Sequence, residues 1–295
     1  MRQQFALFFV VFALHSANAW AEQPIKDIRE IQPDLAAPAM TSADPAPGKR
    51  VRHQLPQFAG TELFHALFLP KNWERSKKYV VIFEYPGNGP YQNKLGDTNS
   101  GRLEDCNLGY GMSAGMDCIW VCLPFVNAEK EQQQLQWWGN ADATVAYCKA
   151  AVKLVCEQFG GDPERLVLCG FSRGAIACNY IGLRDDEIAR LWRCMVVHSH
   201  YDGVRRWPHD DADPESARQR LARLSKRPQF ISHEANIDAT RKYLQDSGFG
   251  RIDEQFTLVA LPFPNHTDGW VLRPIAERNQ LRKWLAASLG GTEPR

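Results

Sequence analysis

LVLCGFSRGAIACNYIG, residues 166–182, decides the reading of this chain, because an apolar run enters Gly-x-Ser-x-Gly and an alanine-rich helical pattern leaves it. This order predicts a strand, a sharp turn and a helix, with Ser172 at the tip of the turn. Gly170 and Gly174 remove the Cβ atoms that would collide with neighbouring backbone in so tight a bend. A helix beginning at Arg173 aims its unpaired N–H groups and the positive end of its dipole at the space beside the serine hydroxyl. Such a serine is a candidate nucleophile and such a space stabilises an anion. A second match to the pentapeptide, Gly111 to Gly115 with Ser113 at its centre, follows the loop-like LEDCNLGY and precedes the strand-like CIWVCLPFV. That order is inverted, so Ser113 reads as a loop or helix-end residue.

Upstream, one Arg, an apolar run from Phe5 to Leu14 and small residues at Ala17, Ala19 and Ala21 read as an export signal over residues 1–21. The run is too short for a permanent membrane span, and no Cys marks a lipid anchor at the cleavage region. The expectation is a secreted or periplasmic protein. Residues 22–49, rich in Pro, Ala and Asp and without a period, read as a flexible arm, and residues 50–291 as one catalytic-sized domain. With 44% hydrophobic and 23% charged residues the composition is that of a globular domain. Only Arg2 of the basic residues leaves with the signal, so the remaining charge is near zero, which argues against a nucleic-acid partner or an electrostatic membrane footprint.

Eight cysteines in an exported chain raise the question of disulfides. Cys148 and Cys156 would lie about 12 Å apart on one helix, and Cys118 and Cys122 about 13 Å apart on one strand. Neither pair can close on itself. Cys169 and Cys178 read as small buried hydrophobes. Cys106 remains the favoured participant in any bridge, with its partner open. No Cys-x-x-Cys occurs, and no structural zinc is expected.

Between Arg50 and Gly291 strand patterns alternate with helical ones. YVVIFEY, CIWVCLPFV, CMVVHSHYDG, RPQFIS and FTLVALPF read as strands, or as strands with their exit loops, interleaved with helices over Asn140–Phe159, after Ser172, from Glu215, from Asp238 and near the C-terminus. This predicts a mostly parallel central sheet with helices on both faces and a site beyond the C-terminal strand ends. With that order in view, DPERLVLCGFSRGA resembles the elbow region of polyhydroxybutyrate-depolymerase-like and feruloyl-esterase-like secreted esterases of the α/β-hydrolase superfamily, over roughly residues 50–290.

The resemblance implies an α/β-hydrolase fold and a serine esterase whose triad runs nucleophile, acid, base along the chain. On it, Asp238 in HEANIDATRKYL is the expected acid, in the loop after the second strand beyond the elbow. His266 in FPNHTDGW, after the last strand, is the expected base. Asp202 is the substitute acid, and Asp268 a loop or capping residue. Oxyanion donors are expected from the Arg173 N–H and from the loop after YVVIFEY, at Asn88 or Gly87, where this chain carries Pro86-Gly87 in place of a His-Gly pair. His200, Tyr85 and Trp137 are expected to line the substrate site. His198, His200 and Asp202 alternate along a strand end and could share a metal, but substrate-side lining is preferred, and no metal or cofactor is expected. The expected substrate is a small-molecule or polysaccharide-linked ester. A serine peptidase of the same fold and an inactive binding protein on this scaffold are the alternatives.

Overall fold

The computed structural model describes residues 27–248 and 252–290, so the signal read in residues 1–21 lies outside the described residues. In chain order the strands are β1 Met40–Thr41, β2 Arg50–His53, β3 His65–Phe68, β4 Tyr79–Tyr85, β5 Tyr91–Gln92, β6 Thr98–Asn99, β7 Cys118–Cys122, β8 Gly161–Phe171, β9 Cys194–His198, β10 Gln229–Glu234 and β11 Phe256–Leu261. The helices are α1 Leu108–Ser113, α2 Ala141–Gln158, α3 Arg173–Tyr180, α4 Asp186–Ala189, α5 Pro214–Ala222, α6 Asp238–Asp246, α7 Ile252–Gln255 and α8 Ala276–Ser288.

Nine strands form one sheet in the order β1-β2-β3-β7-β4-β8-β9-β10-β11. Among the described residues of this sheet, only the pairings of β3 with β2 and with β7 are antiparallel. Because side chains alternate across a strand, β4 sends Val81, Phe83 and Tyr85 to one core and Val80 and Ile82 to the other. The first core takes apolar side chains of α2, α3, α5 and α6, and the second those of α1 and α8. Strands buried on both faces explain the near-continuous apolar runs of the sequence. This is the α/β-hydrolase fold that the resemblance implied, with the mostly parallel sheet expected from the strand–helix alternation.

The parallel strands β4, β8, β9, β10 and β11 end side by side. Tyr85 pairs with Gly170, Phe171 with His198, His198 with Ser232 and Glu234 with Leu261. The residues just past these ends therefore converge in space from stretches of chain far apart in sequence. Ser113 lies on the last turn of α1, its hydroxyl donating to the Gly109 carbonyl at 3.0 Å, which removes it from that group.

The arm expected to be flexible is held along the domain from Asp27 onward. The buried Ile28 donates its N–H to Asn265 Oδ1 at 2.9 Å, Arg278 pairs with Asp34 at 2.8 Å, and β1 adds to the edge of β2. Pro and Ala deny the segment a period of its own, and its order comes from contacts distant in sequence. Among the described residues no helix is long and apolar enough to cross a membrane.

Candidate active site

Ser172 turns the chain at φ 55° and ψ −114°, a conformation that costs a non-glycine residue about 1–3 kcal/mol and persists only where its surroundings hold it. They do so from two sides. The Ser172 N–H is bound to the His198 carbonyl at 2.9 Å on the neighbouring strand. A Cβ on Gly170 would fall 2.2 Å from the Gly174 backbone, and one on Gly174 would fall 2.0 Å from the Tyr85 carbonyl oxygen. Both glycines are required by close backbone approach, and the approach at Gly174 seats the exit of β4 against the start of α3.

His266 follows β11 and reaches back to the elbow. The Ser172 hydroxyl donates to His266 Nε2 at 3.1 Å, and His266 Nδ1 donates to Glu234 Oε1 at 2.6 Å. The tautomer follows from this network, since a carboxylate at Nδ1 leaves Nε2 unprotonated to accept from the serine. The imidazole is held further by the backbone N–H of its own residue, which donates to Asp97 Oδ2 at 2.8 Å, and by the rings of Phe171 and Tyr91 at 4.8 and 5.0 Å. Ser199 Oγ lies 2.8 Å from Nδ1, a second oxygen beside the Glu234 contact.

The carboxylate beside His266 is therefore Glu234, and the expectation of Asp238 is corrected. Asp238 is the first residue of α6, exposed, with its carboxylate accepting from Asn236 Nδ2 at 2.9 Å. The loop is the expected one, and the residue within it is not. Ala235, at φ 52°, reverses the chain immediately after Glu234, and its N–H donates to the carbonyls of Leu261 and Phe263 at 2.9 and 3.2 Å. The chain has turned away before Asp238, and the longer side chain of Glu reaches the imidazole from the last position of β10. Burial disfavours the Glu234 carboxylate, but hydrogen bonds from His233 and His266 outweigh it and hold the group well below the usual carboxylate range. His233 Nδ1 stands 3.0 Å from the other oxygen of Glu234.

Asp202, the substitute acid, is buried and paired with Arg220 at 2.9 and 3.2 Å, away from His266. The metal reading of His198, His200 and Asp202 is not assembled either. His198 is stacked on Phe171 with its two ring nitrogens on Ser232 Oγ and the Thr267 carbonyl, at 3.0 and 3.1 Å, and burial lowers it to about 4. His200 does border the site, 5.2 Å from the His266 ring and 4.9 Å from that of Trp207, and burial lowers it to about 3, leaving a neutral imidazole. Trp137 lies on the same rim, half-buried, 5.8 Å from Trp207 and 6.0 Å from the buried Trp138.

Tyr85 does not line the site. Strand alternation turns it into the first core, fully buried and stacked on Phe125 at 4.9 Å. Its contribution to the site is its carbonyl, which approaches Gly174. Gly87 and Asn88 lie beside the elbow for a reason the motif did not contain. The buried Arg173 guanidinium donates to the carbonyls of Gly87 and Trp137 at 2.8 Å and of Gln134 at 3.2 Å, and lies 4.1 Å over the Phe125 ring. Burial lowers it to about 9, so it stays charged at neutral pH. Asn88 Oδ1 in turn accepts the Trp137 N–H at 2.9 Å. Among the described residues the N–H groups of Arg173 and Asn88 have no protein acceptor.

Beneath the His266 loop sits a buried acid. Asp268 accepts from Asn107 N and Nδ2 at 3.0 and 2.9 Å, and Asn107 N also reaches Glu84 at 3.1 Å. Burial first, then the Glu84 carboxylate, push Asp268 up to about 8. The folded state therefore keeps a proton that the unfolded chain has released, and stability falls as pH rises from the ordinary carboxylate range to about 8. Asp268→Asn is expected to flatten that slope in thermal midpoints measured from pH 5 to 9. An unchanged slope would mean that Asp268 is ionised in the folded protein.

No family model and no curated protein sequence matches the chain. Solved structures match it by fold. A thermostable esterase superposes with a TM-score of 0.51 at 13% identity, over 81% of this chain and 62% of that one. The feruloyl esterase module from Clostridium thermocellum, complexed with sinapinate, gives 0.51 at 14%, over 82% and 92%. The AtxE2 isopeptidase with astexin3-dC4 bound gives 0.54 at 14%, over 83% and 40%. This chain thus spans less than two thirds of the thermostable esterase and less than half of the isopeptidase. At these identities the likeness is one of fold.

Proposed function

We propose that this chain is a serine hydrolase of carboxylic esters, with Ser172 as nucleophile, His266 as general base and then acid, and Glu234 as the carboxylate that orients the imidazole. The observation that carries this reading is the unbroken hydrogen-bond line from Ser172 through His266 to Glu234 at the strand ends. Ser172 Oγ attacks the ester carbonyl as its proton passes to His266 Nε2, and Glu234 stabilises the imidazolium. The N–H groups of Arg173 and Asn88, or of Gly87 on the same loop, receive the oxyanion. Collapse expels the alcohol, which takes the proton from Nε2, and water then repeats the sequence on the acyl-enzyme.

Carbohydrate-linked esters are the substrate class we favour. Half-buried Tyr91, Trp137 and Trp207 offer ring faces for stacking, and His200 and His233 lie near them with groups for sugar hydroxyls. We further propose that residues 1–21 direct export, a cleaved terminus after Ala19 or Ala21 being the mass to look for. The deciding experiment is labelling by a fluorophosphonate probe, with turnover of paired ester and amide substrates of one acyl group. The wild type should label and favour the ester, while Ser172→Ala does neither and Ser113→Ala behaves as wild type. A folded wild type that neither labels nor turns over any ester would identify a binding protein on this scaffold, and preference for the amide would identify a peptidase.

A further inference from the structure

Three ligand-type groups meet in the second core. The Sγ atoms of Cys106 and Cys122 and an oxygen of Glu84 all lie within 4.8 Å of one another, and all three residues are buried. The donor set does not suit a metal. Glu84 Oε1 already accepts the N–H groups of Asn107 and Leu108 at 3.1 Å, and Oε2 those of Gly109 and the Trp120 indole at 2.9 and 2.8 Å. The site also holds a cation of its own, since Arg50 Nη2 lies 3.3 Å from Cys122 Sγ and its guanidinium 4.2 Å over the Trp120 ring. A divalent ion would have to displace these hydrogen bonds and sit against that charge.

Two thiols at this separation have another chemistry open to them. We propose that Cys106 and Cys122 form a disulfide when the chain folds in an oxidising environment. Cys122 is the last residue of β7, with its backbone fixed between Ala66 of β3 and Glu84 of β4. Cys106 lies in the short connection before α1, where a small adjustment can bring the two sulfurs into bonding distance. Oxidised glutathione supplies the balance. One thiol exchanges with it to give a mixed disulfide and one reduced glutathione. The second thiol then displaces a second glutathione, which carries off its proton, and the protein S–S bond closes. Burial pushes the folded Cys106 thiol well up, so the reaction belongs to folding, and the finished bond is shielded from reductants. The bond would fix the residue before Asn107, which holds Asp268, two positions after His266.

The test is a thiol count on the full chain, refolded from the reduced, denatured state with a glutathione redox couple or with dithiothreitol, then denatured and alkylated. Of the eight cysteines, six should alkylate after oxidative refolding and eight after reductive refolding, with Cys106 and Cys122 recovered in one linked peptide. The oxidised form should melt roughly 5–10 °C higher, a gap that Cys106→Ser abolishes. The same count on chain expressed in an oxidising compartment gives an answer independent of refolding yield. Eight free thiols after oxidation, a different linked pair, or stoichiometric zinc that protects both cysteines from alkylation would overturn the proposal.

Discussion

Glu234→Gln is expected to lower kcat on esters by about 10⁴ while leaving the fold intact, the loss that an amide in place of the orienting carboxylate causes in serine protease triads. An amide oxygen can still accept from His266 Nδ1, but it does not neutralise an imidazolium, and its NH₂ group can hold the ring in the tautomer that points a proton at Ser172. The substitution acts on the 2.6 Å bond between Nδ1 and Oε1, the shortest in the line. Asp238→Asn, on an exposed side chain at the start of α6, should leave kcat within a factor of about two of wild type, as surface substitutions away from special features do. The pair of variants is decisive because the two carboxylates are four residues apart, at the end of β10 and the start of α6. A collapse of kcat in Asp238→Asn with Glu234→Gln near wild type would reverse the assignment.

Arg173→Ala carries the second large effect, and it acts on stability and activity together. The side chain satisfies three carbonyls in two loops from a site with almost no water access. Each carbonyl left bare and buried costs about 1–3 kcal/mol, so a loss on the order of 3–9 kcal/mol in unfolding free energy is expected, a large share of a domain's stability. The backbone N–H of residue 173 survives the substitution, so the first proposed oxyanion donor remains. Its proposed counterpart at Asn88 is expected to shift, because Arg173 ties both Gly87 and the Trp137 loop that binds the Asn88 side chain. Arg173→Lys is the sharper probe. A single ammonium cannot span three carbonyls, so kcat should fall about 10- to 100-fold with a smaller loss of stability. Wild-type kcat in a folded Arg173→Lys enzyme would separate this guanidinium from the oxyanion loop.

These residues also mark where the sequence stops being sufficient. The elbow was legible because its causes are local. A strand, two glycines that tolerate close backbone contact and a helix directly after them predict the sharp turn at Ser172 from adjacent residues, and the neighbouring strands then hold it. The alternation of strands and helices, the parallel sheet and the place of His266 after the last strand follow from patterns a few residues long, and the structure keeps all of them. The acid was not legible in that way. Glu234 and Asp238 are carboxylates at the two ends of one short connection, and choosing between them depends on where β10 stops. That end is set by its register with β11, which pairs Glu234 with Leu261 and turns the chain at Ala235 through bonds to Leu261 and Phe263.

Tyr85 and the N-terminal arm fell outside reach for the same reason. The face that Tyr85 takes follows from β4 being sandwiched between two cores, and the arm is ordered by Asn265, Leu272 and Arg278, more than 200 residues away. Ser199, Asp97 and Tyr91 join His266 from segments that carry no motif at all. The sequence by itself determined the main strands and helices, their order and the serine placed at the elbow, because backbone sterics and side-chain periodicity act over a few residues. Which carboxylate meets the imidazole, and which loops close around it, was decided by tertiary structure, because hydrogen bonds at the ends of parallel strands join positions that only the assembled sheet brings together.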